Sequence, residues 1–326
     1  MISDLNPTTL PIRQKSNPLQ SRVWLITGAN RGIGHSIARE ALREGQHVVA
    51  TARNLKKLKA AFADVTAAEK ANLSLQAMDI SRSESIQAAV CHVREQFGRV
   101  DVLVNNAGYG QLGYFEDIHP VRARQQFDTN VFGVMDVTRQ VLPLMREQRS
   151  GQIYNLSSVC GVVGFAGASL YAASKFAIEG FSESLAQEVS EFGISVTLVE
   201  AGYMRTDFLD KASVRYEDSA IEDYQQPGKT LRESNDAMNH RQQGDPARLA
   251  SALLALSREA VQPKRFIAGS DAYGYIKDAL KERQTEMNSW KMLSLSTDFV
   301  EDADDGAALQ QQDDDGVYHR GIVAMA

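Results

Sequence analysis

Cysteine is scarce in this 326-residue chain: Cys91 and Cys160 are the only two. Two thiols cannot build a disulfide framework, and their spacing matches no metal site. Both are expected as small core residues or free thiols in a reducing compartment. The six histidines show no pair at zinc-ligand spacing, so His35, His47, His92 and His119 are expected in helices or loop surfaces, with no metal. Basic residues are not in surplus either. Residues 301–326 hold seven acids and one base, Arg320, and −7 + 1 = −6 equals the formal net charge of the whole chain. Residues 1–300 are therefore neutral, which excludes the concentrated basic face that a nucleic acid or an anionic membrane requires. No stretch approaches the ~18 apolar residues of a membrane span, and the N-terminus lacks the apolar run of a signal peptide. A cytoplasmic protein is expected, without nucleic-acid or membrane partners.

What is present is an alternation. The composition, 43% hydrophobic and 23% charged, suits a sizeable core. Short apolar runs at 23–27, 47–51, 73–78, 100–105, 151–157, 194–200 and 265–269 alternate with helical patterns, among them 32–43, 83–97, 120–149 and 169–192. The runs show little period-two alternation, as parallel strands buried on both faces do. The fold class expected is α/β: a single-domain, doubly wound parallel sheet of the Rossmann type, helices on both faces. The domain spans 22–290 after an N-terminal arm (1–21), and an acidic extension, expected to be mobile, follows from 291 to 326. A polar insert at 203–244 reads as a lid or a disordered loop. Order restarts at "GDPARLASALLAL", where Asp245 can cap a helix and Pro246 fits its first turn.

Between the first strand and first helix stands "LITGANRGIGHSIARE", with Gly28, Gly32 and Gly34. A dinucleotide's pyrophosphate must approach backbone amides at a helix N-terminus, and any Cβ there would hold it off. Asn30, Arg31 and Ile33 complete this candidate cofactor turn. At the end of the second strand an acid would bind ribose hydroxyls, but "ATARN" has Ala52 there and Arg53 beside it. With Arg31 as a second cation, the pattern favours a 2′-phosphate, hence NADP over NAD. Asp79 and Ile80 end the third strand, where they can meet the adenine; a capping role is the alternative for Asp79.

"LYAASKFAIEG" places Tyr171 and Lys175 one helical turn apart, on the same face. The pair by itself is ambiguous. It gains meaning from its company: "TGANRGIG", "NNAG" (105–108), Asn130 in "DTNVFGV", "SS" (157–158) and "YAASK" follow in order. In this the chain closely resembles the short-chain dehydrogenase/reductase family, in its branch with TGxxxGxG and YxxxK motifs, over about residues 22–270. The resemblance implies an oxidoreductase acting on CH–OH groups with NAD(P). It makes Tyr171 the acid/base, Lys175 its partner, Ser158 rather than Ser157 the catalytic serine, and Asn130 the fourth member, holding a water that links Lys175 to solvent. Asn105, Asn106, Ala107 and Gly108 would lie beside the cofactor. A phenol near pKa 10 needs help to exchange protons at neutral pH, and the Lys175 ammonium would lower it. Lys175 would also hold the nicotinamide ribose, and Ser158 would bond the substrate oxygen. The family commonly has Pro-Gly and then a threonine after the sixth strand. Here Ala201 replaces the proline, while Gly202 and Thr206 remain to meet the carboxamide.

The substrate wall is expected from Tyr109, Leu112, Tyr114, Val162, Phe165, Met204, Phe208 and Leu209, mostly apolar. A neutral, hydrophobic ketone or secondary alcohol follows as the expected substrate. A non-catalytic NADP sensor, or an epimerase or dehydratase on the same fold, is the alternative. A homodimer or homotetramer is expected through the helices at 120–149 and 169–192, whose apolar stripe includes Val134, Val137, Val141 and Leu144.

Overall fold

The computed structural model describes residues 21–299 except 211, 212 and 218; the expected arm, apart from Ser21, and the acidic segment from 300 onward lie outside the described residues. One compact unit ends at Lys281 and a second begins at Glu282. The first starts with β1 (Val23–Ile26), α1 (Gly32–Arg43), β2 (His47–Ala52), α2 (Leu55–Ala61), α3 (Ala67–Ala71) and β3 (Leu73–Ala77). It continues through α4 (Ser83–Phe97), β4 (Val102–Asn105), a short β5 (Gly110–Leu112), α5 (Pro120–Phe127) and α6 (Gly133–Gln148). Then come β6 (Gly151–Leu156), α7 (Ser169–Val189), β7 (Ile194–Ala201), β8 (Val214–Tyr216), α8 (Glu222–Met238), α9 (Pro246–Leu256) and β9 (Arg265–Ala268). The helix α10 (Ser270–Ser289) carries the chain into the second unit, which contains α11 (Lys291–Leu295).

Seven parallel strands form the sheet, in the order β3-β2-β1-β4-β6-β7-β9. Every residue of β1 is buried because its two faces feed two cores. Trp24 and Ile26 pack with Ile37 and Ala41 of α1 and Leu249 and Leu253 of α9. Val23 and Leu25 pack with Ile86 and Val93 of α4, Val137 of α6 and Leu185 of α7. This is why the strands read as continuous apolar runs. The doubly wound architecture is the one expected. Asp245 caps α9, accepting from the N–H groups of Ala247 and Arg248, with Pro246 in the first turn.

Three features depart from the sequence reading. The helix expected at 120–149 is interrupted: Asp128–Phe132 form a wider turn in which the Gly133 N–H donates to Asp128 O. There the helix runs against the loop after β3, and a Cβ on Gly133 would lie 2.6 Å from Ile80 O. The insert at 203–244 is ordered where described. Its β8 pairs in parallel with β5, α8 follows, and a Met204–Gly244 bridge closes its base. Finally, Val134, Val137, Val141 and Leu144 are at most 5% exposed within this one chain. The stripe is the inward face of α6, and the expectation of a homodimer or homotetramer loses that support.

Val137→Ala should therefore lower the unfolding free energy by about 2 kcal/mol, read by urea denaturation. Sedimentation of the folded variant should be unchanged; altered association would mean that the stripe faces another copy.

Candidate active site

A cleft opens beyond the carboxyl ends of β1 and β4, where the strand order reverses. One wall is the turn between β1 and α1. Gly28 has φ +67° and Gly32 φ +59°, in the left-handed region that side chains disfavour. A Cβ on Gly28 would also stand 2.9 Å from the Ala107 Cα. No side chain caps α1, so its first N–H groups are available to an anion. The turn, lined by Gly28, Asn30, Arg31, Gly32 and Ile33, thus fits a pyrophosphate. Gly34 does not line the cleft. Its Cβ would meet Asn106 Nδ2 at 2.4 Å and Gly28 O at 2.8 Å, so it serves packing.

The segment after β4 clamps that turn. Thr27 Oγ1 accepts from the N–H groups of Asn106 and Ala107, each at 2.9 Å. Asn106 Nδ2 donates back to Thr27 O (2.8 Å) and Gly28 O (3.1 Å). Asn106, Ala107 and Gly108 line the cleft; Asn105 does not. Its amide is buried behind the strand and donates to Thr138 Oγ1 (3.0 Å) and Asn155 Oδ1 (2.8 Å). Arg53 follows β2, exposed at the cleft. The Arg31 guanidinium donates to Ser213 Oγ at 2.6 Å, reaching the insert. Asp79 both lines the cleft and caps: Oδ1 accepts from Ser81 N (3.1 Å) and Oγ (2.7 Å). Ile80 is beside it in the wall.

At the far end α7 brings Tyr171 and Lys175 to the cleft, both buried. Lys175 Nζ stands 5.7 Å from the Tyr171 ring centroid and donates to Leu156 O at 2.6 Å. Burial pulls the Lys175 ammonium down to about 8, against the raising influence of Cys160 and Glu179. Burial drives the Tyr171 phenol well above its ordinary value, reinforced by Cys160 and Tyr203 and opposed by a hydrogen bond with Ser158. The lowering of Tyr171 expected from Lys175 does not appear: the one opposing influence is the Ser158 hydrogen bond, and burial dominates. Ser158 Oγ accepts from the Cys160 N–H at 3.1 Å and lines the cleft. Asn130, in the wide helical turn, lies outside the wall. Its Nδ2 donates to Tyr109 O (2.9 Å) and Ser174 Oγ (3.2 Å), and its Oδ1 accepts from Tyr109 N (3.1 Å).

Of the eight expected substrate-wall residues, Tyr109, Leu112, Phe165, Met204, Phe208 and Leu209 line the cleft. Tyr114 instead stacks on Tyr224, ring centroids 4.9 Å apart. Val162 packs with Val159, Ala272 and Ile276. Cys160 is in the wall and Cys91 is exposed, not core.

A match to the short chain dehydrogenase family extends over residues 22–217. The chain belongs to the short-chain dehydrogenase/reductase family. It is similar to oxidoreductase BOA17 of Botryotinia fuckeliana, 35% identical over 85% of this chain and 99% of that protein. Human retinol dehydrogenase 8 is 39% identical over 58% of this chain and 61% of its own length. Among solved structures, a short-chain dehydrogenase from Streptomyces avermitilis is 36% identical, with TM-score 0.78 over 85% of this chain and all of that one. ElxO with NADP bound is 25% identical, with TM-score 0.64 over 78% of this chain and all of that one. This short-chain dehydrogenase/reductase is therefore an oxidoreductase that uses a nicotinamide cofactor on a small molecule. No helix among the described residues is long and apolar enough to cross a membrane.

Sequence patterns missed several residues of the dehydrogenase cleft. From the insert, Leu231 and Asn235 of α8 and the buried Gln242 line it; only a period in a polar helix could have signalled the first two. Asp271, at the start of α10, accepts from the Tyr203 N–H at 2.7 Å and packs so close to Gly202 that a Cβ there would fall 2.3 Å from its Oδ1. It steadies the turn that lacks the family's proline, and Gly202 and Thr206 are both in the wall. Asp207, Asp210 and His240 bring one donor atom each within 4.8 Å of one another. Asp210 Oδ1 is already engaged by Asn239 Nδ2 (2.6 Å) and His240 Nε2 (3.2 Å).

Because Gly34 packs and does not line the cleft, Gly34→Ala should destabilise the protein by about 1–3 kcal/mol, the cost of overpacking and of displacing Asn106. Thermal unfolding without any added nucleotide checks this; an unchanged melting temperature would return Gly34 to a binding role alone.

Proposed function

We propose that this short-chain dehydrogenase/reductase moves a hydride between NADP(H) and a neutral, hydrophobic ketone or secondary alcohol, with Tyr171 as acid/base. The observation that carries this reading is the buried Ser158–Tyr171–Lys175 group at one end of the cleft whose other end is the glycine turn. When bound, the nicotinamide supplies or accepts the hydride. A buried phenol held above its ordinary value keeps its proton at neutral pH, so Tyr171 is poised to donate it to a carbonyl oxygen. The Ser158 hydroxyl bonds the same oxygen as charge develops on it. Lys175, fixed by Leu156 O with its Nζ 5.7 Å from the Tyr171 ring centroid, would restrain the nicotinamide ribose when the cofactor is bound. Gly202 and Thr206, both in the cleft wall, would meet the carboxamide. Asn130 acts as a positioning residue, holding the Tyr109 backbone through both N–H and C=O.

Ala52 and the exposed Arg53 favour NADP, since nothing acidic there opposes a 2′-phosphate. The apolar wall of Leu112, Phe165, Met204, Phe208 and Leu209 favours an uncharged, hydrophobic substrate. The relatives named 3-ketodihydrosphingosine reductase, 38% identical over 63% of this chain, and retinol dehydrogenase 8 agree with a keto–alcohol couple.

Tyr171→Phe should reduce turnover of NADPH with a hydrophobic ketone by about a hundredfold or more, while NADPH affinity by fluorescence titration changes little. Near-normal turnover would reject the mechanism. Arg53→Asp should reverse the ratio of NADPH to NADH dissociation constants, since a charge-assisted phosphate contact is worth about 1.5–3 kcal/mol. An unaltered ratio would remove Arg53 from cofactor selection.

A further inference from the structure

One turn beyond Lys175 on α7, a second group of charges is enclosed that the proposed mechanism leaves unused. Glu179 is 7% exposed and Glu200, on β7, only 1%. Their common neighbour is Arg265 on β9. Leu198 is its register partner, so Arg265 and Glu200 lie diagonally on one face of the sheet. Arg265 Nε stands 3.3 Å from Glu179 Oε2 and 3.2 Å from Glu200 Oε1, and its Nη2 reaches Glu183 Oε2 at 3.1 Å. The other Glu179 oxygen takes the Ser157 hydroxyl.

The one N–H on Arg265 Nε could serve both oxygens only as a long three-centre contact, at 3.3 and 3.2 Å. Glu179 Oε2 and Glu200 Oε1 are both buried, and neither has a well-formed hydrogen bond. Two ionised carboxylates in such a place repel each other and pay for desolvation. One proton between them removes the repulsion and gives each orphan oxygen a partner, as like-charge carboxyl pairs do. We propose that Glu179 and Glu200 share one proton and act as a positioning pair for Lys175. As pH rises the pair releases this proton to solvent past the half-open Arg265, and the added negative charge, one helical turn away, holds the lysine in its ammonium form. The inference rests on the reading of Lys175 as part of the reacting group.

The charges around the pair favour this. Burial, then the nearby Glu179 charge, pushes Glu200 up to about 7, with Arg265 opposing. Burial also raises Glu179, against Ser157, Arg265 and Lys175. The release therefore falls in the same range, about 7 to 8, in which burial would strip Lys175. On the other sides, the Cys160 thiol and the Tyr171 and Tyr203 phenols are all raised by burial and stay neutral there. Glu183 lies at the edge, its side chain 37% exposed, and Asp271 is held against the Tyr203 N–H.

Glu179→Gln and Glu200→Gln, made in the full chain, test the pair through the pH profile of kcat/KM for ketone reduction by NADPH. In each variant the alkaline limb should move down by about one pH unit, because the compensating charge is lost. A second measurement needs no activity. A carboxyl raised in the folded state stabilises below its unfolded value, and that stability is lost as pH rises to about 7. Gln does not titrate, so Glu200→Gln should gain in melting temperature on the wild type between pH 5 and 8. A constant melting difference, or alkaline limbs that superimpose on the wild type while Tyr171→Phe is inactive, overturns the inference alone. An active Tyr171→Phe instead overturns the reading of the site, and the melting comparison still judges the shared proton.

Discussion

The close approach of two backbone turns, the one after β1 and the one after β4, governs the rest of the molecule's chemistry. Thr27 Oγ1 serves two N–H groups of the second turn, and the Asn106 side chain returns two hydrogen bonds to the first. That contact leaves no room for side chains at Gly28 or Gly34. It also forces Gly28 into the left-handed region, which a residue with a Cβ would enter only at a cost of about 1–2 kcal/mol. The glycines are thus a steric consequence of one hydrogen-bonded clamp. The cradle for phosphates is what that clamp leaves open.

The reacting end is held by a different device. The wide turn at Asp128–Phe132 shifts the helical register, and Asn130 then grips the Tyr109 backbone and the Ser174 hydroxyl of α7 together. Wide turns of this kind are often found where a helix must present one residue out of sequence. Through Asn130 the position of α7, and so of Tyr171 and Lys175, is tied to the strand end that borders the cleft. Desolvation then sets the protonation states, opposing the charged form of both groups at once. For Lys175 the interior supplies a counterweight in the Glu179 carboxyl one turn along α7, itself tied to Glu200 through Arg265.

Much of this was legible without coordinates. Each of the seven expected strands is in the sheet, because a parallel strand buried on both faces must be apolar along its whole length. Most of the cofactor-turn residues proved to share one cleft, since the topology puts all βα turns at one edge of the sheet. The failures have a common cause. Asn105 and Gly34 belong to the right motifs but face away from the cleft, and Tyr114 and Val162 pack elsewhere. Motif spacing specifies which loop a residue occupies and says nothing about which way its side chain leaves the backbone.

By itself, then, the sequence determined the alternation of strands and helices, the glycine turn and the Tyr–Lys spacing on one helical face. These are local properties, set by periodicity and by the few conformations a short segment can adopt. Only the tertiary structure decided that the stripe on α6 faces inward, that the insert is ordered as β8 and α8, and that Asp271 steadies the turn at Gly202. It alone joined Glu179, Glu200 and Arg265, which stand far apart along the chain. Such facts depend on which surfaces meet and on how much water leaves when they do, and no local pattern encodes either.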